Sequence, residues 1–517
     1  MRLLPLMYLV ACTTEKAPVD TADTGLPVQE SAPVESVPPD STPPEDSTPV
    51  DSAPQDSDPP DTGDPPAPSL LDGGSLADAP VIIDGLAYQD LAGFAVAGVG
   101  DLNGDGLMEA AIGVPGSDLV EEYGGAVAIL SGPTPLGGSY DEAGTLILGE
   151  RPADFAGMAL AGADLDGDGY GDVLVGAPYS MAVRTALQAG AVYRVSGPIE
   201  GHVGLTSAGA MVTGERESDY VGLAVQGTGD LDGDGGPDVL VGAPHADIDG
   251  IVDLGAVYVV SGAWSDRDSL SDAYAVWQGE TDDDRMGWAV VSGDLDADGV
   301  QDLAVSSYYQ DEAGEDSGKI YVSLNASDPG VHHVLDADGR WTGEGAGDGA
   351  GWQMTTADLD GDGHLELLAG AEGVTATPAS AGVVYIIDAS TGGDWSLADT
   401  TDRIVGPAVG VGARSPVAAD LDGDGAPELI IGATGDDTAG EDAGAIYLLQ
   451  GPFGGTQSLA GAAAWTGAVA GDAAGRALAA PGDVDGDGLG DLLTGCYQAA
   501  PSGEQSGQAA LLLSGSL

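Results

Sequence analysis

Short apolar runs separated by glycine- and aspartate-rich segments fill most of the chain. Val173-Leu174-Val175 and Leu429-Ile430-Ile431 are two such runs. Runs this short, bounded by turn residues, are typical of buried β-strands and not of helices. The pattern recurs every 62 to 66 residues from about residue 79 to the end of the chain. We therefore predict an internally repeated, all-β protein.

Each repeat holds four predicted strands. In the second repeat they lie near residues 158–161, 172–178, 190–197 and 210–214. Four short strands with glycine-rich turns suit one blade of a β-propeller. An open superhelix could share the period, but a closed ring leaves no terminal repeat exposed. We expect residues 79–517 to form a seven-bladed β-propeller of four-stranded antiparallel blades, with residues 80–84 completing the seventh blade.

An acidic segment of nine residues follows the first predicted strand of every repeat. Positions 1, 3, 5 and 9 carry Asp, Glu or, once, Asn, and position 6 is Gly. The candidate metal ligands are these side chains together with the backbone carbonyl at position 7. In the seven loops they are Asp101, Asn103, Asp105, Leu107, Glu109; Asp164, Asp166, Asp168, Tyr170, Asp172; Asp230, Asp232, Asp234, Gly236, Asp238; Asp294, Asp296, Asp298, Val300, Asp302; Asp358, Asp360, Asp362, His364, Glu366; Asp420, Asp422, Asp424, Ala426, Glu428; and Asp483, Asp485, Asp487, Leu489, Asp491.

The spacing of these oxygens suits a hard cation. Ca²⁺ takes about six to eight oxygen ligands, whereas Mg²⁺ keeps more of its waters, so we expect Ca²⁺, up to one ion per loop. Without a cation, the clustered carboxylates would repel one another. An EF-hand is excluded because position 12, where it needs a bidentate Glu, holds strand residues such as Val175 and Ile431. A solvated acidic turn is the alternative. Asn103 makes the first loop the least charged.

The repeat resembles a known family. Asp154-Phe155-Ala156-Gly157, the acidic loop, Gly176-Ala177-Pro178 and Gly190-Ala191-Val192-Tyr193 are similar to the FG-GAP repeat. The resemblance covers about residues 79–517 and implies the seven-bladed propeller of integrin α subunits and of many bacterial surface proteins. This chain departs from the pattern in the sixth repeat, where Gly410-Val411-Gly412-Ala413 replaces Asp-x-x-Gly, and an intact Gly-Ala-Pro occurs only in the second and third repeats.

Composition limits the partners of the protein. The chain has 517 residues, 85 Asp and Glu, 13 Lys and Arg, and a formal net charge of −72. Such a surface repels nucleic acid and anionic lipid headgroups. Its 43% of apolar residues is nevertheless enough for a large core. Two cysteines, Cys12 and Cys496, exclude a disulfide framework and thiolate metal sites.

The first 78 residues are predicted to be a signal peptide followed by a tethering linker. Residues 1–12 hold one Arg and a short apolar stretch, and Leu9-Val10-Ala11-Cys12 resembles the bacterial lipobox, in which the cysteine is acylated. We therefore expect a lipoprotein-type signal peptide and lipidation of Cys12, with an ordinary signal peptide as the alternative. The resemblance implies an outer-membrane or cell-surface lipoprotein. Residues 13–78, rich in Pro, Ser, Thr and Asp, are predicted to be a disordered linker.

Strand order predicts where ligands bind. In an up-and-down blade, all seven acidic loops lie on one face, and the more variable connections lie on the other, where recognition residues usually occur. Arg and Tyr in these connections are candidates either for an interface or for blade packing. They are Arg151, Arg216, Arg285, Tyr179, Tyr220, Tyr308, Tyr309 and Tyr497.

The sequence favours a binding function. It holds no G-x-S-x-G or H-E-x-x-H motif, and no residue is predicted to be catalytic. We expect a monomeric, non-enzymatic adhesion or ligand-binding module whose partner is an unidentified protein or glycan on the face opposite the acidic loops, with membrane contact only through the lipid. The alternatives are a polysaccharide hydrolase or lyase and a periplasmic structural scaffold.

Overall fold

The computed structural model describes residues 70–133, 137–149, 151–181, 188–208, 210–264, 267–374 and 381–515. The predicted signal peptide, the lipidation site at Cys12 and the predicted linker up to residue 69 lie outside the described residues.

The described chain forms seven blades, each with four antiparallel strands, which follow one another along the chain in blades 1 to 6. Blade 1 consists of Val96–Gly98, Ala110–Val114, Ala126–Leu130 and Thr145–Leu148. Blade 2 consists of Ala159–Ala163, Asp172–Ala177, Ala191–Val195 and Ala210–Thr213. Blade 3 consists of Ala224–Gly227, Asp238–Ala243, Ala256–Ser261 and Ala275–Gln278. Blade 4 consists of Met286–Gly293, Asp302–Ser307, Lys319–Ser323 and Gly339–Thr342. Blade 5 consists of Ala350–Ala357, Glu366–Ala371, Val383–Ile387 and Arg403–Val405. Blade 6 consists of Ala413–Ala419, Glu428–Ala433, Ala445–Leu449 and Ala463–Thr466. Blade 7 consists of Ala477–Gly482, Asp491–Cys496, Gln508–Leu512 and Val81–Asp84. The predicted seven-bladed propeller is confirmed.

A fifth strand extends every blade at its outer edge. It precedes the fourth strand of the following blade in the sequence and pairs in parallel with the fourth strand of the preceding blade. For blades 1 to 7 in order, these strands are His202–Gly204, Arg267–Ser269, Gly330–His333, Gly393–Ser396, Thr456–Ser458, Gly74–Ser75 and Gly138–Ser139. The sequence pattern predicts only four strands per blade, so this strap between neighbours is an additional feature.

Short helical turns accompany these outer strands. The outer strand of blade 1, His202–Gly204, is followed by the α-helix Leu205–Ala208. The 3₁₀ turns are Leu70–Asp72, Leu76–Asp78, Tyr140–Glu142, Leu270–Asp272, Val334–Asp336 and Leu397–Asp399. Each 3₁₀ turn buries its first residue. The turns therefore anchor the strap in the neighbouring core.

The core lies between blades and not within them. Its seven clusters each join residues of two adjacent blades, including one between blades 7 and 1. The second strand is almost wholly buried, as in Asp172–Ala177 and Asp491–Cys496. The first strands touch one another all around the ring, so they line the central channel. Burial on both faces explains why the second strands appear in the sequence as unbroken apolar runs.

Two contacts close the ring. Val81–Asp84 pairs antiparallel with Gln508–Leu512, which confirms the predicted completion of blade 7 by the N-terminal strand. Gly74–Ser75 pairs with blade 6, and the indole Nε1 of Trp465 donates a hydrogen bond of 2.8 Å to the carbonyl of Leu70. Residues 70–78, which composition assigns to the linker, therefore belong to the ring because Leu70 and Leu76 are buried in the blade 6–7 core.

Candidate metal centres and the opposite face

All seven acidic loops connect a first strand to a second strand and therefore lie on one end of the ring, here called the acidic-loop face. They span residues 101–109, 164–172, 230–238, 294–302, 358–366, 420–428 and 483–491. The connections from second to third strands, and from each fourth strand to the next blade, lie on the other end, here called the variable-loop face. The predicted separation of the two sets of loops follows from this topology.

The first aspartate organises each acidic loop. In loop 6, Asp420 accepts hydrogen bonds from the backbone N–H groups of Gly423 at 2.7 Å and Gly425 at 3.0 Å. The bond from position 6 recurs in every loop. Gly425 has a φ of 90°, a conformation that favours glycine, which is why position 6 is Gly in all seven loops.

Position 9 has a second role that spacing alone does not reveal. Its carboxylate accepts a hydrogen bond from the backbone N–H of position 2 in every loop. Asp302 is fully buried, and its other oxygen accepts a 2.7 Å bond from the N–H of Asn325, beyond the third strand. Asp172 and Asp491 make the equivalent bond. The signal was available, because position 9 opens a buried strand where an acid needs partners.

The predicted ligands converge. Carboxylate oxygens of positions 1, 3 and 5 lie within 4.8 Å of one another in loops 2, 3 and 5, and those of positions 1, 3 and 9 do so in loops 4 and 6. These clusters are Asp164, Asp166, Asp168; Asp230, Asp232, Asp234; Asp358, Asp360, Asp362; Asp294, Asp296, Asp302; and Asp420, Asp422, Glu428. A donor set made only of carboxylate, amide and carbonyl oxygens fits Ca²⁺ better than a softer metal.

Electrostatics favours a cation at these loops. Burial, followed by repulsion from Asp105 and Asp101, raises the pKa of Glu109 to about 7. Burial and the neighbouring acids Asp485 and Asp487 likewise raise the pKa of Asp491 to about 6. A divalent ion between these oxygens would relieve the repulsion.

The loops differ in what already contacts their ligands. The side-chain amide of Asn103 donates a 2.7 Å hydrogen bond to Glu109, so it occupies a ligand of loop 1. In loop 2 the buried guanidinium of Arg194 lies 4.0 Å from both Asp166 and Asp172. The other loops hold no such built-in cation among the described residues.

The variable-loop face carries most of the exposed large apolar side chains. Thirteen such residues occur among the described residues, and nine of them are on this face. The nine are Leu86, Tyr88, Leu119, Val120, Met181, Ile251, Val252, Val409 and Val469. Only Met108 lies in an acidic loop. The exposed large apolar side chains are therefore unevenly distributed between the two faces.

Aromatic rings on the variable-loop face pack against one another. Tyr123, Phe155, Tyr179, Tyr220 and His245 form a continuous series with ring centroids 5.1 to 5.3 Å apart. The predicted interface candidates Tyr179 and Tyr220 are therefore packing residues in part. The series spans blades 1 to 3 and stiffens the loops that carry the exposed residues.

Three arginines continue this packing around the ring. The guanidinium of Arg285 lies 4.4 Å from the ring centre of Tyr309. Arg414 and Arg476, which are not among the residues predicted from the sequence, stack on aromatic rings in the same way. One signal was present: Arg476 follows a glycine where blades 1 to 5 place an apolar residue.

The comparisons with known proteins agree with the repeat. The FG-GAP repeat model matches residues 92–130, 156–193, 222–260, 286–323, 350–387 and 412–449. Each match begins at or just before a first strand and ends in the third strand of that blade. Among the described residues, no helix has the length and hydropathy needed to span a membrane.

Curated relatives share only part of their length with this chain. Integrin alpha-5 of Xenopus laevis is 29% identical over 245 residues, which cover 47% of this chain and 22% of the relative. Phosphatidylinositol-glycan-specific phospholipase D of Rattus norvegicus is 35% identical over 198 residues, 36% of this chain and 23% of the relative. Integrin alpha pat-2 of Caenorhabditis briggsae is 31% identical over 232 residues, 43% of this chain and 18% of the relative.

Proposed function

We propose that this integrin-alpha-like propeller of FG-GAP repeats is a non-catalytic module that displays a protein-binding surface outside the cell. Ca²⁺ ions in the acidic loops stabilise one face, and the variable-loop face holds the ligand. The observation that carries the proposal is the separation of the two kinds of surface. Carboxylates converge on one face, and nine of the thirteen large apolar residues that are exposed in the described part of the chain lie on the other.

Calcium has a structural role in this proposal. Each acidic loop joins the first strand, at the channel, to the buried second strand of the same blade. An ion that draws positions 1, 3 and 5 together fixes this turn and removes the repulsion between its acids. Seven such turns around one face would stabilise the ring without taking part in recognition.

A protein ligand suits the variable-loop face better than a glycan does. Eight of its nine exposed apolar residues are aliphatic, and Tyr88 is the aromatic one. Sugars stack on flat aromatic faces, whereas aliphatic side chains pack well in protein interfaces. Several aromatic faces on this side are already covered by neighbouring rings or guanidinium groups.

The N-terminal segment supplies the proposed location. Acylation of Cys12 would anchor the chain in a membrane, and the Pro- and Asp-rich residues that follow would hold the propeller away from it. The observations in support are the lipobox-like sequence and the composition of the linker. Labelling with radioactive palmitate, with Cys12→Ser as the control that loses the label, tests this part alone.

Site-specific photocrosslinking tests the proposed ligand surface. A photoreactive residue is placed at Val252, which is 55% exposed on the variable-loop face, or at Val331, which is 63% exposed on the outer rim. The protein is displayed on the cells that produce it, in Ca²⁺ or in chelator. We expect Ca²⁺-dependent adducts with a protein from position 252 and none from position 331. Equal adducts from positions 252 and 331 would overturn the proposal. The absence of adducts from Val252, and also from Val120 and Val409 when the photoreactive residue is placed there, would overturn it as well.

A further inference from the structure

The mouth of the central channel on the variable-loop face is built from equivalent positions of the seven blades. The residue that follows a glycine at or just before the start of the first strand lies at this end of the strand. It is apolar in the first five blades, as Phe94, Met158, Leu223, Trp288 and Trp352. Blade 7 places Arg476 there, and blade 6 places Arg414 one residue earlier in the same turn. Two neighbouring blades therefore bring positive charge to an otherwise apolar collar.

Arg414 is buried and only partly satisfied. It is 9% exposed, and its guanidinium lies 4.3 Å from the ring centre of Trp352. One terminal nitrogen donates a 3.1 Å hydrogen bond to the hydroxyl of Thr434, and the other pairs with Glu372. Its Nε is buried without a hydrogen-bond partner.

Arg476 has no acidic partner among the described residues. Its Nη1 donates a 3.1 Å hydrogen bond to the carbonyl of Phe94, and its guanidinium lies 4.2 Å from the Phe94 ring and 4.9 Å from the Tyr497 ring. No described carboxylate comes within 4.0 Å of it, and its Nε is buried without a partner. Aromatic faces stabilise such a charge, but they do not satisfy the buried Nε–H donor.

The charge of the mouth is not balanced. Burial first, and then repulsion from Arg476, lowers the pKa of Arg414 to about 10, so the two guanidinium groups act on each other. Against these two charges stands Glu372, whose carboxylate also accepts a 3.0 Å hydrogen bond from the hydroxyl of Tyr308. A buried charge without a counter-charge is strongly unfavourable. In a chain of net charge −72, these two guanidinium groups and the single carboxylate of Glu372 give the mouth a local excess of positive charge, to which an anionic group is complementary.

We propose that the channel mouth binds the carboxylate of an acidic side chain of a protein ligand, held between Arg414 and Arg476. The inference rests on the proposed function and names the anchor of that ligand. One net positive charge suits a singly charged group, and the planar fork of arginine matches a carboxylate. The collar of Phe94, Trp352 and Tyr497 would surround the apolar stem of the inserted side chain.

The experiment is a titration of the purified Ca²⁺-loaded protein with N-acetyl-glutamate methylamide at constant ionic strength. The indole N–H signal of Trp352, assigned with Trp352→Phe, reports on the mouth by NMR. We expect a saturable shift in the millimolar range and no shift with the glutamine analogue, which has the same shape and no charge. Arg476→Gln and Arg414→Gln should each weaken binding about tenfold or more, because each removes a charged hydrogen bond. Arg340→Gln, on the outer rim, should bind as the unchanged protein does.

Further variants keep the test decisive. Arg476→Lys keeps the charge but loses the fork, so it should bind severalfold more weakly even where Arg476→Gln does not fold. Equal shifts with the glutamate and glutamine analogues, or unchanged binding in folded Arg476→Gln, would overturn the inference. Tighter binding of glucuronate or inorganic phosphate would assign the mouth to another ligand class and would also overturn it. If crosslinking at Val252 persists in Arg476→Gln, the anchor alone is wrong and the proposed function stands.

Discussion

The two faces of this ring are made from the same strands but follow different rules. On the acidic-loop face, seven connections have one length and one hydrogen-bond pattern, from the first aspartate to the carboxylate at position 9. On the variable-loop face, connections differ in length, and the chain places there most of its exposed apolar side chains. The proposed function gives this separation a reason, because a cation site requires fixed spacing whereas a recognition surface requires only a rigid base.

The largest effect on stability should come from position 9 of an acidic loop, whose carboxylate binds backbone N–H groups. Asp302→Ala removes a buried carboxylate that binds two backbone N–H groups, those of Leu295 and Asn325. We expect a loss of about 2–5 kcal/mol in the free energy of unfolding, with or without Ca²⁺. Asp298→Ala, at the exposed position 5 of the same loop, is the matched control and should destabilise only the Ca²⁺-loaded protein. Equal losses for the two variants in chelator, measured by urea unfolding, would contradict this division within the loop.

On the variable-loop face, a buried acid should make stability depend on pH. Burial raises the pKa of Asp219 to about 6, assisted by Asp247 and Glu215 and opposed by a hydrogen bond from the N–H of Arg216. Because this pKa is raised, the charged form is disfavoured in the folded state, and the penalty present above pH 6 disappears as the pH falls toward 4.

In chelator, the unchanged protein should therefore gain on the order of 1 kcal/mol more than Asp219→Asn does between pH 7.5 and pH 5. Comparing the two proteins cancels the titration of the acidic loops, which they share. Parallel pH profiles in urea unfolding would show that Asp219 does not titrate in this range.

A smaller effect, on the stabilisation by Ca²⁺, should distinguish loop 1 from the other acidic loops. Asn103→Asp replaces an amide that occupies Glu109 with a further carboxylate ligand. The stabilisation by Ca²⁺ should grow by about 0.5–1 kcal/mol, measured as the difference between Ca²⁺ and chelator. The reverse change in loop 3, Asp232→Asn, should reduce that difference by a similar amount. No change in either variant would mean that position 3 is not a ligand.

The smallest effect on stability should come from the exposed residues of the variable-loop face. Val252→Asp changes a side chain that is 55% exposed, so the free energy of unfolding should move by less than about 0.5 kcal/mol. The same substitution should abolish crosslinking from position 120 to the proposed ligand. A large loss of stability would mean that Val252 supports the fold and is not a free recognition residue.

The repeat made the ring and the acidic loops predictable. The nine-residue acidic loop, which contains Asp101, Asp105 and Glu109 in its first copy, recurs at a nearly constant spacing, so the loops are visible as a period in the sequence. The same period gives the number of blades, and the isolated apolar stretch at Val81–Asp84 predicts how the last blade is completed.

The outer strands, the contacts of Arg476 and the start of the ring depend on residues that are far apart in the sequence, so a local sequence pattern does not predict them. The outer strand Gly330–His333 is short and largely exposed, so it shows no apolar alternation, and its partner belongs to another blade. Arg476 meets Phe94 across 382 residues of chain, and only closure of the ring brings them together. The start of the ring at Leu70 could not be predicted from the sequence either, because the partner of Leu70, Trp465, lies in blade 6.

The central claim is that Ca²⁺ stabilises the acidic-loop face as part of the structure, and thermal unfolding of the purified protein tests it most directly. The melting temperature is measured in millimolar Ca²⁺, in millimolar Mg²⁺ and in excess chelator. Several sites acting together should raise it by about 10 °C or more in Ca²⁺ relative to chelator, with Mg²⁺ much less effective. The same melting temperature in all three conditions would contradict the account and leave the seven acidic loops without their proposed role.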